Sequence, residues 1–148
     1  IASIIYKNGL ISPCLWTGIE ISCLLHNCLV HIIGLDFQLD NQAMSVYKLG
    51  EAPVGIYLRA ETVIKSIHKS GGIAILAHPA RYRKSYKELI DAAYKNGIDG
   101  VEVWYDYNRS NIWNCSTYIC KEISKLTAHY NLLSTCGTDT HGLSIIRR

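Results

Sequence analysis

Apolar positions recur along the chain at two different periods. From Glu61 to Ser70, Val63, Ile64 and Ile67 fall on one helical face, and Gly71-Gly72 ends the element. From Ser85 to Asn96, Leu89, Ile90 and Ala93 do the same, with Gly97 as the C-terminal cap. Ser116 to Tyr130 is a third helix, carrying Ile119, Ile123 and Leu126 on one side. Each helix is followed by a short apolar run: Ile73-Ala74-Ile75-Leu76-Ala77, then Val101-Glu102-Val103-Trp104, then Leu132-Leu133-Ser134-Thr135-Cys136. Strands alternating with helices of this length predict βαβ units and a parallel sheet, as in a β/α barrel or an open α/β sheet.

The first part of the chain reads differently. Ile19-Glu20-Ile21-Ser22 and Leu29-Val30-His31-Ile32-Ile33 are strand-like runs joined by a short polar bend, which predicts neighbouring strands with no helix between them. Residues 36–58 lack a period and contain Gly50, Pro53 and Gly55, so they read as a connection. The nineteen residues before Glu20 read as the end of a helix, Ile1 to Gly9, and one more strand.

With 148 residues the chain has the length of one domain, and its 49% apolar and 18% charged residues are a globular composition. No uninterrupted apolar run is long enough for a membrane span. The opening residues lack a basic segment and a small-residue cleavage site, so no signal peptide is expected. The six cysteines include the pairs Cys23/Cys28 and Cys115/Cys120, a spacing that raises a zinc site. Their apolar and helical surroundings favour small buried hydrophobes in a reducing compartment, hence a cytoplasmic protein.

The net charge of +3 is too mild to prove a nucleic-acid partner. Its distribution is more informative. Residues 51–100 hold eight basic and five acidic groups, and Arg81, Arg83, Lys84 and Lys87 crowd just after His78. The cluster reads either as a solvated helix start or as a phosphate clamp with Arg81 nearest the site.

Candidate ligands fall in a pattern. Glu20 and His31 lie in the two early strands. His78 directly follows the apolar strand ending at Ala77, and Asp139 and His141 follow the last strand in Gly137-Thr138-Asp139-Thr140-His141. His78, Asp139 and His141 therefore sit at the C-terminal ends of parallel strands, where β/α folds build their sites. Imidazole and carboxylate suit Zn, Mn or Fe, and paired metals can activate water and hold a phosphoryl oxygen. Taken singly, each residue has a plainer role: a hydrogen-bonded core histidine, an ion-paired strand glutamate, or a turn residue.

Gly18-Ile19-Glu20-Ile21-Ser22, Val30-His31-Ile32-Ile33-Gly34-Leu35, Gly71 to Tyr82, Gly97 to Val103 and Gly137 to His141 resemble, in that order, the PHP (polymerase and histidinol phosphatase) superfamily, in its branch of small metal-dependent phosphoesterases. The resemblance implies a distorted seven-stranded (β/α) barrel, a cluster of two or three divalent metals, and hydrolysis of phosphate esters, including nucleotides or RNA 5′ ends. It implies metal ligation by Glu20, His31, His78, Asp139 and His141, catalytic roles for His78, Asp139 and His141, and a substrate-phosphate contact for Arg81.

The family opens with a His-any-His strand and further acidic and His-Asp ligands. The nineteen residues before Glu20 contain no His and no carboxylate, and the family's helical insertion is replaced by the 36–58 connection. The expectation is a single truncated PHP-like α/β domain over 1–148, an unclosed barrel whose open edge favours self-association. Its function is that of a metal-dependent phosphoesterase acting on a phosphorylated small molecule, nucleotide or RNA. The alternatives are a non-catalytic remnant that binds metal or phosphate weakly, and an interaction fragment.

Overall fold

The computed structural model describes residues 16–108 and 113–140. Two strands, β1 (Gly18–Leu25) and β2 (Cys28–Leu35), form an antiparallel hairpin. Its loop is His26-Asn27, with φ of 47° and 58°. Positive φ at both central residues is the type I′ geometry that matches strand twist. Three helix–strand units follow: α1 (Ala60–Lys69) with β3 (Ile73–Leu76), α2 (Tyr86–Lys95) with β4 (Gly100–Trp104), and α3 (Thr117–His129) with β5 (Leu133–Cys136).

The helices end alike. Gly72 N–H donates to Ile67 O and Gly71 N–H to His68 O, which is a Schellman cap. Ile98 N–H on Ala93 O and Gly97 N–H on Tyr94 O repeat it, as do Leu132 N–H on Thr127 O and Asn131 N–H on Ala128 O. The turning residues Gly71, Gly97 and Asn131 have φ of 81°, 83° and 53°. Each cap reverses the chain into the next strand. At the other end of α2, the Ser85 side chain accepts from Lys87 N–H.

The described strands form one sheet in the order β1-β2-β3-β4-β5. β2 runs antiparallel to both neighbours, while β3, β4 and β5 are parallel. The sequential order, without reversal, is the progression of a barrel rather than of a doubly wound sheet. Among the described residues the sheet does not close: β1 and β5 are its edges, and the outer side of β1 has only a bridge from Leu24 to Arg59.

Alternation in the hairpin sets its two faces. Ile21, Cys23, Leu25, Val30 and Ile32 are buried with Val63, Ile64 and Ile67 of α1 in one core. Gly34 lies on that face, where a Cβ would sit 3.1 Å from Ile67. Glu20, Ser22 and His31 therefore project from the opposite face, away from α1. The 36–58 connection contributes more than its sequence predicts. It holds two 3₁₀ turns, Gln42–Lys48 and Gly55–Leu58, and buries Phe37, Met44 and Tyr47 in the core. Cys23, Cys28 and Cys120 are buried, Cys115 is half-buried, Cys136 is exposed, and all five are free thiols. No helix among the described residues is long and apolar enough to cross a membrane.

Candidate metal centre

The register of the hairpin brings Glu20 and His31 together. Ser22 pairs with His31, so Glu20 lies one step diagonal to His31 on the same face. His31 Nδ1 is 2.7 Å from Glu20 Oε1. β3 completes the set: Ala77 N–H donates to His31 O, and the next residue, His78, places Nε2 3.4 Å from the same Glu20 oxygen. One ligand atom from each of Glu20, His31 and His78 lies within 4.8 Å of the others.

The three side chains differ in environment. His78 is 4% exposed, against 39% for His31 and 41% for Glu20. Both ring nitrogens of His78, and Nδ1 of His31, are buried without a hydrogen-bond partner; the short His31–Glu20 approach is not aligned as one. A buried polar atom left unpaired costs roughly 1–3 kcal/mol. A cation shared by the three donors would remove that cost. The close approach of His31, then of His78, holds the Glu20 carboxyl well below the usual carboxylate range, against the opposing effect of burial. Two imidazoles and a carboxylate fit Zn, Mn or Fe, and three protein ligands leave coordination positions open, as in catalytic rather than structural sites.

Aromatic rings wall this centre. Tyr82 and Tyr105 each stand 5.4 Å from the His78 ring, centroid to centroid, and His31 meets that ring edge-on at the same distance. The Tyr82 hydroxyl accepts the His31 backbone N–H at 2.8 Å, and burial pushes its phenol well above the usual range.

Asp139 and Arg81 occupy the same rim but pair with each other. Arg81 Nη1 donates to Asp139 Oδ2 and, at 2.9 Å, to the Tyr105 hydroxyl. That hydroxyl donates in turn to Asp139 Oδ2, also at 2.9 Å. Asp139 is outside the three-residue group. His141 lies outside the described residues.

No family model and no curated protein matches the sequence. Solved structures do match the fold. An amidohydrolase from Chromobacterium violaceum, holding sulfate and no metal, aligns over 85% of this chain and 67% of its own at a TM-score of 0.65 and 18% identity. A protein from Bifidobacterium adolescentis, proposed to be a metal-dependent phosphoesterase, aligns over 86% of this chain and 68% of its own at a TM-score of 0.63 and 20% identity. The chain has the fold of these two proteins.

Glu102 is a residue of the site that sequence reasoning did not single out. It is 5% exposed on β4, and its Oε2 accepts the His78 backbone N–H at 2.8 Å. Burial raises its carboxyl above the usual range, with Glu20 and Asp139 adding to the effect and His78 opposing it. A signal was available: Glu102 is the one charge in an apolar strand flanked by two parallel neighbours, where a carboxylate is rarely left without a task. Tyr82 and Tyr105 carried no such signal.

Proposed function

We propose that this chain is a metal-dependent hydrolase of the PHP type acting on phosphate esters. The observation that carries the reading is the convergence of Glu20, His31 and His78 at the C-terminal end of β3, with Nδ1 of His31 and both ring nitrogens of His78 buried and making no hydrogen bond. Glu20, His31 and His78 would hold a divalent ion, which when bound supplies Lewis acidity and lowers the pKa of a coordinated water. Arg81 would receive the substrate phosphate, with Asp139 contributing from the segment after β5 and His141, two positions further in the sequence, as a further candidate. The basic cluster Arg81, Arg83, Lys84 and Lys87 would attract a phosphorylated small molecule or nucleotide to this rim.

A second reading is a non-catalytic remnant that binds metal or phosphate without turnover. It is favoured by the pairing of Asp139 with Arg81, which leaves Asp139 outside the three-ligand group.

The test is elemental analysis after equilibration with Mn²⁺ and Zn²⁺ and desalting, with phosphomonoesterase assays on the same samples. Bound metal near one ion per chain, absent from His78→Ala, with turnover lost on chelation, is expected. Bound metal without turnover selects the remnant. No bound metal in the wild type ends both metal readings.

A further inference from the structure

His78 has an uncommon backbone. Its φ is 26° and its ψ 61°, and it is followed by Pro79 at the start of a 3₁₀ turn. A non-glycine residue there is strained by about 1–3 kcal/mol and persists only where its surroundings hold it. That conformation turns the chain out of β3 and brings the imidazole over Glu20 and His31.

The side chain that holds it comes from the neighbouring strand. Glu102 Oε2 accepts the His78 N–H, an interaction between a buried carboxylate and a buried amide. The other carboxylate oxygen, Oε1, occupies the place where residue 137 would carry a Cβ, 1.7 Å from that ideal position. Any side chain larger than hydrogen at Gly137 would collide with it. A register shift in the β4–β5 pairing between Glu102 and Trp104, and the Gly137 N–H bond to Trp104 O, set the two strands at this spacing. Bulges of this kind recur beside active sites, where they re-aim side chains.

We infer that Glu102 is a positioning residue: it fixes the strained backbone of His78 so that the imidazole meets Glu20 and His31, and Gly137 is glycine to leave room for its carboxylate. The inference rests on the metal-centre reading above. Glu102 is not itself a ligand in this scheme. What it supplies is an acceptor at one place.

Three variants separate this role from ligation and from simple packing. Glu102→Gln keeps an acceptor oxygen and loses the charge. Glu102→Ala removes the acceptor. Gly137→Ala leaves Glu102 in the chain and displaces its carboxylate. Zn²⁺ affinity by isothermal titration should fall about 10- to 100-fold in Glu102→Ala and Gly137→Ala, the usual cost of losing a group that orients a ligand. It should stay within about threefold of wild type in Glu102→Gln, which retains the hydrogen bond. A loss in Glu102→Gln as large as in Glu102→Ala would show that the charge matters and overturn the assignment, as would wild-type affinity in Gly137→Ala.

A second readout needs no metal. The His78 amide proton should resonate downfield in wild type and Glu102→Gln and move upfield in Glu102→Ala. An unmoved His78 amide would sink the inference even if metal binds. A wild type that binds no metal overturns the reading of the centre, and the amide shift then still decides what Glu102 does.

Discussion

Arg81 and Asp139 meet across 58 positions of sequence, guanidinium Nη1 on carboxylate Oδ2, with the Tyr105 hydroxyl bonded to both. If Arg81 receives a phosphate, as proposed, it is already engaged by a carboxylate. An oxyanion arriving there would have to displace Asp139 from Arg81 and would meet its charge while doing so.

An unusual expectation follows for phosphate binding. In the metal-stripped chain, Asp139→Asn should bind inorganic phosphate more tightly than wild type, by about three- to tenfold, because a partly buried competing anion is gone. Arg81→Ala should bind it more weakly. Titration calorimetry at low salt measures both. Weaker phosphate binding in Asp139→Asn would show that Asp139 does not compete with phosphate for Arg81.

Metal should stabilise the folded chain. Zn²⁺ at 100 times its Kd contributes about 2.7 kcal/mol through mass action. For a chain of this length that is a rise in Tm of roughly 5–10 °C. Scanning calorimetry with and without Zn²⁺ should show the rise in wild type and its loss in His78→Ala. An equal shift in both would place the ion elsewhere.

Cys23 gives the protein an alkaline weakness. Burial pushes its thiol from 9.0 up to about 12 in the folded chain. The unfolded thiol loses its proton first, so this contribution is intact below pH 9 and is lost as pH rises from 9 towards 12. Between pH 9 and 11 the cost approaches about 2 kcal/mol. Urea unfolding across this range should show a steeper fall in wild type than in Cys23→Ala. Parallel slopes would mean that the thiol is not shielded. Burial likewise raises Cys120, to about 11, so iodoacetamide at neutral pH should label exposed Cys136 before either.

How much of this could be read from the chain alone depended on whether a feature is local. Gly71, Gly97 and the apolar faces of the helices are short-range signals, and they placed α1 to α3 and β3 to β5 within a residue or so. The hairpin was visible because Ile19 to Ile33 holds two apolar runs around a polar bend. Glu20 and His31 stand out as ionisable groups in apolar strands and His78 as one at a strand's end; Glu102 carries the same signal and was passed over. The pairing of Arg81 with Asp139 was not legible, since a contact between two loops leaves no period in either. Residues 36–58 were underestimated for a similar reason. A 3₁₀ turn is too short to establish a rhythm, so the burial of Phe37, Met44 and Tyr47 had no pattern to announce it.

The two-residue loop at His26-Asn27 has a consequence for the order of events as the chain folds. It closes the β1–β2 ladder through contacts near in sequence, and a hairpin of this kind forms in microseconds. Glu20 and His31 are therefore facing each other early. His78 arrives from 47 positions beyond His31, after α1 and a long-range β2–β3 pairing have formed, and such non-local pairing is slower. If the proposed centre holds a metal, a nascent chain would offer it two donors rather than three during that interval, and the third would join only when β3 docks.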